Sequence, residues 1–285
     1  MEANGLTFSA LAWGEPDARR HCWCTAIRTT PTPGVTSARS RLPRRSPFTR
    51  GYAPTDLAPN DSYLITDQAA LHSALGGDGN SVLIGHDWGA VATWAITDRE
   101  PNRFRSYVCL AVPPPAAILR PFTRVKTIPI GLRQAFMSWY FVFNQLLGSG
   151  RGQDRVIPKL WRDWSPGYDG REDIEHVFRA PAEPGRRRAA LRYYRNNLRG
   201  GVKSTFGIAP KAPALHLHGA QDGRMQAALQ EAFPETLPAG SRDERLEGVG
   251  HFIQLEDPAR VNALIMEWIG APRRGAGSTS TRSAT

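Results

Sequence analysis

Apolar positions fall in short runs broken by Gly, Pro and polar clusters, and the runs change period along the chain. Val82-Leu-Ile84 is continuous and β-branched, as a strand buried on both faces requires, and Val91-Ala-Thr-Trp-Ala-Ile96 after it has helical character. Residues 64–75 read as a helix ahead of a strand at 81–84. Ser106-Tyr-Val-Cys-Leu-Ala111 reads as a second core strand closed by Pro113-Pro-Pro115. From there to about residue 210 the pattern is helical, aromatic and arginine-rich, with no strand alternation. Strand-like runs return at Leu215-His-Leu-His-Gly219 and at Leu246. Asp257-Pro258 then opens a last helix, with Val261, Leu264, Ile265 and Trp268 at core spacing. Met1 to Ala18 is expected to form the first hairpin of the sheet. The expected organisation is a core domain over 1–112, a helical cap over 113–210, a return to the core over 211–270 and a disordered tail over 271–285. No internal repeat is present.

The candidate chemistry sits where strand gives way to helix. Gly85-His-Asp87-Trp-Gly89-Ala90 has the layout of a nucleophile elbow, in which small residues flank a side chain on a sharp strand-to-helix turn. The side chain is a carboxylate. It can attack carbon and leave an alkyl ester, which suits ring opening or halide displacement better than acyl transfer. Asp222 follows the strand at 215–219, and His251 follows a Gly hinge after Leu246. Singly, Asp222 is a common turn acid and His251 one of seven histidines. In the chain order nucleophile, acid, base, each after a strand-like run, they point to one site. The histidine activates water and the acid fixes its tautomer. His86 and Trp88, flanking Asp87, are the substrate- and oxyanion-binding candidates.

These strings resemble the epoxide hydrolases of the α/β-hydrolase superfamily, the aspartate-nucleophile branch that also holds haloalkane dehalogenases. The resemblance rests on Arg50-Gly-Tyr-Ala-Pro-Thr-Asp56, the elbow, Ser138-Trp-Tyr140-Phe-Val-Phe-Asn-Gln145, Tyr193-Tyr194-Arg-Asn196, Gly219-Ala-Gln-Asp222-Gly223 and Gly250-His251-Phe252. It implies an α/β fold with a mostly parallel sheet flanked by helices, an inserted helical cap and no metal or organic cofactor. It further implies that Tyr140 and Tyr194 hydrogen-bond an epoxide oxygen as Asp87 attacks the neighbouring carbon. The family usually has Phe-Gln-x-Pro-Gly after the first tyrosine, where this chain has Asn144-Gln-Leu-Leu-Gly148. The same resemblance leaves a haloalkane or haloacetate dehalogenase as the alternative, with Trp88 donating to a departing halide. The expected substrate is a small hydrophobic epoxide, and a homodimer is left open.

One interval breaks the pattern. From Arg19 to Thr49 there are seven arginines and no acid, and neither a strand nor a helix period can be found. By the resemblance, a central strand, a His-Gly-x-Pro oxyanion loop and the first core helix belong here. One choice of synonymous codons for residues 22–34, read from its third nucleotide, encodes LVHGYPDNPDTW. Continued towards Leu42, with suitable third bases, it gives RHLGPVA, so the expected loop can be read in a shifted frame. We read the segment as frameshifted, entered near Arg19 and compensated before Pro47; a divergent insertion is the other reading. Residues 19–47 are accordingly expected to be irregular and the chain poorly soluble or inactive.

That interval also distorts the composition. The net charge of +10 would suggest nucleic acid, but seven charges lie in the aberrant interval and the rest of the chain nets +3. No nucleic-acid partner is expected. Of the three cysteines, Cys22 and Cys24 fall in the interval without a second ligand pair for zinc, and Cys109 reads as a core strand residue. No signal region or spanning-length apolar stretch is read, so no membrane association and a cytoplasmic location are expected.

Overall fold

The computed structural model describes residues 2–13, 22–26, 44–47, 64–146, 149–179, 191, 194–195 and 207–270, with side chains for 2–10 and, with a few gaps, from 66 onward. Glu2–Ala3 (β1) and Leu6–Thr7 (β2) pair as a two-stranded hairpin separate from the main sheet, a correction to the expectation that the N-terminal hairpin belongs to it. The turn at Asn4-Gly5 explains this: both residues have positive φ (45° and 74°), so the chain reverses after two residues and closes locally.

The main sheet has seven strands. They are Ala10–Trp13 (β3), Cys22–Ala26 (β4), Arg44–Pro47 (β5), Val82–His86 (β6), Ser106–Leu110 (β7), Ala214–Gly219 (β8) and Arg242–Leu246 (β9). The order across the sheet is β3-β5-β4-β6-β7-β8-β9. All neighbours are parallel except β3, which lies antiparallel to β5 at the edge. Residues of β6, β7 and β8 are buried almost throughout, as strands covered on both faces must be, with His86, His216 and His218 buried among the apolar positions, whereas β9, Arg-Asp-Glu-Arg-Leu, alternates at the other edge.

The expectation of irregularity over 19–47 is corrected at β4 and β5. Cys22–Ala26 lies centrally, with Cys22 opposite Val82 and Ala26 opposite His86, and Arg44–Pro47 lies beside it. Ladder bonds use backbone groups alone. The slot between β6 and the edge hairpin therefore accepts a short run with Trp and Thr even without a side-chain period. Residues 14–21, 27–43 and 48–63, with the expected oxyanion loop and the Arg50–Asp56 string, lie outside the described residues.

Leu64–Ala74 (α1) and Trp88–Arg99 (α2) cover one face. There Trp94 and Ile96 of α2 pack with Leu83, Tyr107 and Cys109, the last a free, fully buried cysteine. On the other face the last helix, Pro258–Gly270, buries Val261, Ile265 and Ile269 against Ile84, Val108 and Leu217, while Leu264 and Trp268 are partly buried beside them. Between β7 and β8 every described element is helical. These are Ala116–Leu119 (α3), Ile128–Met137 (α4), Trp139–Gln145 (α5), Ser149–Trp164 (α6) and Arg171–Arg179 (α7), with short 3₁₀ turns between them. A third apolar cluster joins this segment to the sheet: Tyr140, Ile157, Leu160, Trp161, Trp164, Val177 and Tyr194 pack with Trp88, Ala92 and Phe252. No helix among the described residues is long and apolar enough to cross a membrane.

Candidate active site

The turn from β6 into α2 is strained, and its sequence is built for the strain. Asp87 has φ +52° and ψ −117°, a conformation that costs a residue with a Cβ about 1–3 kcal/mol. It is held there from both sides: its N–H donates to the Leu110 carbonyl at 3.4 Å, and its carbonyl accepts from Val91 at 3.1 Å to start the helix. The turn closes only because Gly85 lacks a side chain. A Cβ there would lie 2.2 Å from the Gly89 carbonyl oxygen and 2.4 Å from Thr93 Oγ1. Gly85→Ala is therefore expected to lower stability by at least about 3 kcal/mol, beyond the range of ordinary overpacking. A fall of under 1 kcal/mol in urea unfolding would mean that the turn relaxes freely.

The acid and the histidine meet from the ends of β8 and β9. His251 Nδ1 lies 2.8 Å from Asp222 Oδ2, and both side chains are fully buried. The other oxygen, Asp222 Oδ1, accepts from the N–H groups of Arg224 (2.7 Å) and Met225 (2.8 Å). Burial alone would push the Asp222 carboxyl up; the charge and hydrogen bond of His251, with His218 and the Met225 amide, outweigh it and hold it below its usual range. An ionised Asp222 accepts a hydrogen bond from Nδ1–H, which fixes the tautomer and leaves Nε2 as the basic nitrogen. Nε2 is buried and has no hydrogen-bond partner among the described residues. The His251 backbone is clamped as well, its N–H reaching the Trp164 carbonyl at 3.0 Å and Ser165 Oγ at 3.0 Å. The Trp164 carbonyl also accepts from Gly223 at 3.1 Å, and a Cβ on Gly223 would lie 1.8 Å from the Asp163 carbonyl oxygen. The end of α6 thus fixes both loops at once.

His86 is buried beside this pair. Its Nε2 lies 3.0 Å from the His251 carbonyl, and the two rings sit 4.9 Å apart. Burial, with His251 alongside, pushes His86 down to about 4. Burial likewise pushes His218 down to about 4, with its Nε2 2.8 Å from the Met225 carbonyl. Both are neutral in the fold and have ordinary values near 6.5 when unfolded. Their contribution is complete above about pH 6.5 and is lost as pH falls towards 4. Asp222, whose value is lowered, stays ionised across that window. The expected loss by pH 5 is about 2 kcal/mol per histidine. Urea unfolding at pH 7 and pH 5 reads it, and equal stabilities at the two pH values would contradict the neutral assignment.

Tyr140 on α5 and Tyr194 are brought together although 54 residues separate them in sequence. Arg195 does this: its Nε donates to the Asn144 carbonyl at 3.0 Å and its Nη2 to the Leu146 carbonyl at 3.2 Å, while Gln145 Nε2 donates to the Tyr194 carbonyl at 3.2 Å. The phenol rings meet edge to face at 5.8 Å, both fully buried. Tyr194 also meets Trp88 at 5.6 Å, and Trp164 meets both Tyr140 (5.0 Å) and His251 (5.3 Å). Tyr194 therefore lies against the elbow residue Trp88, and Trp164 bridges Tyr140 to the histidine. Trp88 Nε1 is buried with no partner among the described residues.

Sequence reasoning missed Arg224. Its Nη2 lies 2.7 Å from Asp87 Oδ1, and the pair is 2–4% exposed. Gln134 on α4 secures the loop that carries it, donating from Nε2 to the Arg224 carbonyl at 2.9 Å and accepting from Gln226 N–H at 3.1 Å. An arginine in a turn ordinarily points to solvent, and nothing local in Asp222-Gly-Arg-Met predicts otherwise. Among the described residues no group of three or more His, Cys, Asp or Glu side chains is arranged to hold a metal ion.

Comparison with known proteins places this geometry. A model of the alpha/beta hydrolase family matches residues 4–264, and the chain belongs to that family. Epoxide hydrolase 3 of Xenopus tropicalis is 25% identical over 200 residues, covering 66% of this chain and 52% of that protein. The chain thus spans about half the length of this curated relative. Among solved structures, an epoxide hydrolase from Vigna radiata superposes with a TM-score of 0.71 at 23% identity, covering 94% of this chain and 96% of that one. A loop variant of haloalkane dehalogenase from Bradyrhizobium elkanii superposes with a TM-score of 0.73 at 17% identity, covering 94% of each chain.

Proposed function

We propose that this chain hydrolyses an epoxide to a vicinal diol through an ester on Asp87. The observation that carries the reading is a buried carboxylate on a left-handed elbow, under a pair of tyrosines and beside a His251–Asp222 couple. In the first step an Asp87 oxygen forms a bond to an epoxide carbon and the ring C–O bond breaks. The released oxygen takes a proton from Tyr140 or Tyr194, a phenol being an acid that brings no charge into an apolar site. In the second, His251 Nε2 removes a proton from water, which adds to the ester carbonyl carbon. The acyl C–O bond then breaks, and the leaving alkoxide takes the proton of the added hydroxyl, so that the diol departs and Asp87 is regenerated as a carboxylate. The proton held by His251 passes by way of water to the tyrosinate, restoring both groups. The backbone N–H of Trp88 serves the carbonyl oxygen during that addition. The described helices between β7 and β8, α3 to α7, act as the cap that excludes bulk water.

Oxygen bookkeeping tests this directly. In a single turnover in H₂¹⁸O the diol should carry unlabelled oxygen, since the atom comes from Asp87, and the label should appear in the protein. Label in the first-turnover diol would mean direct attack by water. Tyr194→Phe should slow ester formation by about 10²-fold, read by rapid quench; an unchanged rate would remove the phenol from the first step.

Halide displacement is the second reading, because Trp88 Nε1–H is buried without a partner among the described residues and would suit a departing chloride. Chloride release from chloroalkanes, with epoxide turnover absent, would favour it.

A further inference from the structure

Arg224 is the feature of the site that a neutral epoxide does not need. It is 3% exposed, and Nη2 alone meets Asp87; Nε and Nη1 are buried with no hydrogen-bond partner among the described residues. Its surroundings are the reacting groups themselves. Asp87, Tyr140, Tyr194 and Asp222 all bear on its charge and, against burial, raise it further above its usual range. A buried guanidinium with two N–H directions open carries a desolvation penalty that a single ion pair does not offset. An arginine pulling on Asp87 also weakens that carboxylate as a nucleophile. Both costs make sense if a second anion completes the arrangement. A carboxylate is planar and accepts two parallel N–H donors. Nη2 forms such a fork with Nε on one side and with Nη1 on the other, so a second carboxylate can pair with one open nitrogen and one Nη2 hydrogen while Asp87 keeps the other Nη2 hydrogen.

An anionic substrate faces a difficulty at this site that Arg224 removes. Asp87 would have to approach a carbon next to a carboxylate. Two like charges brought together in a poorly solvated site repel strongly. A guanidinium touching both carboxylates cancels that repulsion and fixes which carbon faces Asp87.

We propose that Arg224 is the substrate-carboxylate site, so that the chain acts on a small epoxide bearing a carboxylate next to the ring, a 2,3-epoxy acid. This rests on the epoxide reading of Asp87 for its chemistry and proposes an anionic group on the substrate where the sequence led us to expect a small hydrophobic epoxide. It does not rest on that reading for the binding of the anion. Asp87 attacks one ring carbon, the ring C–O bond breaks with the oxygen protonated by a tyrosine, and the carboxylate stays on Arg224 until water releases a dihydroxy acid.

Two measurements test it on the full chain. Calorimetric titration with glycerate, the diol expected from glycidate, should show binding that glycerol lacks, weakened at least 10-fold in Arg224→Gln. Kinetically, the kcat/KM of glycidate relative to its neutral amide should fall by at least about 10²-fold in Arg224→Gln, largely through KM. Arg224→Lys should recover part of the binding, since it restores the charge but not the fork. Equal binding of glycerate and glycerol, or glycerate binding unaffected by Arg224→Gln in a variant that still melts cooperatively above the assay temperature, would overturn the proposal and leave Arg224 as a partner of Asp87 alone. If glycerate binds through Arg224 but no epoxide is opened, the anion site stands and the epoxide reading falls.

Discussion

Asp87→Ala is expected to reduce epoxide turnover by at least about 10⁴-fold, the order of loss seen when a member of a nucleophilic triad is removed. No neighbour can substitute. Asp222 is committed to His251 and to two backbone amides, and it follows a different strand. The same change leaves Arg224 buried and unpaired, so the variant should also be less stable by about 3–5 kcal/mol, the penalty for breaking a buried ion pair. The double variant Asp87→Ala/Arg224→Met removes both charges and should recover much of that stability while staying inactive. This separates the two roles of Asp87: activity follows the carboxylate, and stability follows the balance of charge. A double variant as unstable as the single one would mean that the ion pair contributes little.

Restoring LVHGYPDNPDTWRHLGPVA across residues 22–40 is expected to raise kcat/KM by about 10²–10³. We propose that this segment is frameshifted, and the restored His-Gly-Tyr-Pro supplies the second oxyanion donor, whose loss typically costs that much. The gain should appear mainly in rate. β4 already occupies the central slot as Cys22–Ala26, so the ladder between β5 and β6 exists in the chain as written. On this proposal, what the shifted frame would replace is the His-Gly-Tyr-Pro sequence that follows the strand. The comparison is of two purified chains with one substrate; equal rates would place the oxyanion donor elsewhere and weaken the frameshift reading.

The parts of the site that are legible in sequence are those that local physics dictates. Gly85, Asp87 and Gly89 are readable because an elbow needs small residues at that spacing, and Gly85 meets the Gly89 backbone too closely for any Cβ. Asp222 and His251 are readable because each follows an apolar strand end, where a parallel sheet exposes its functional loops. Tyr140 and Tyr194 came from family resemblance; periodicity alone would leave them as packing residues. Two things escaped. The loop that carries Arg224 is held by Gln134, 90 residues away on α4, through the Arg224 carbonyl, and no local pattern carries that contact. The strand at 22–26 has no period of its own, because its place is set by open ladder positions on β6.

The central claim is that Asp87 becomes covalently attached to substrate and that His251 is needed only to release it. His251→Gln separates the steps, since it keeps a polar side chain beside Asp222 but has no basic nitrogen. Intact-mass spectrometry of this variant after incubation with glycidate or a neutral aryl epoxide should show a gain equal to one whole epoxide. Peptide mapping should place it on the peptide containing Asp87. Consumption of epoxide with no adduct, or an adduct on any other residue, would contradict the two-step mechanism.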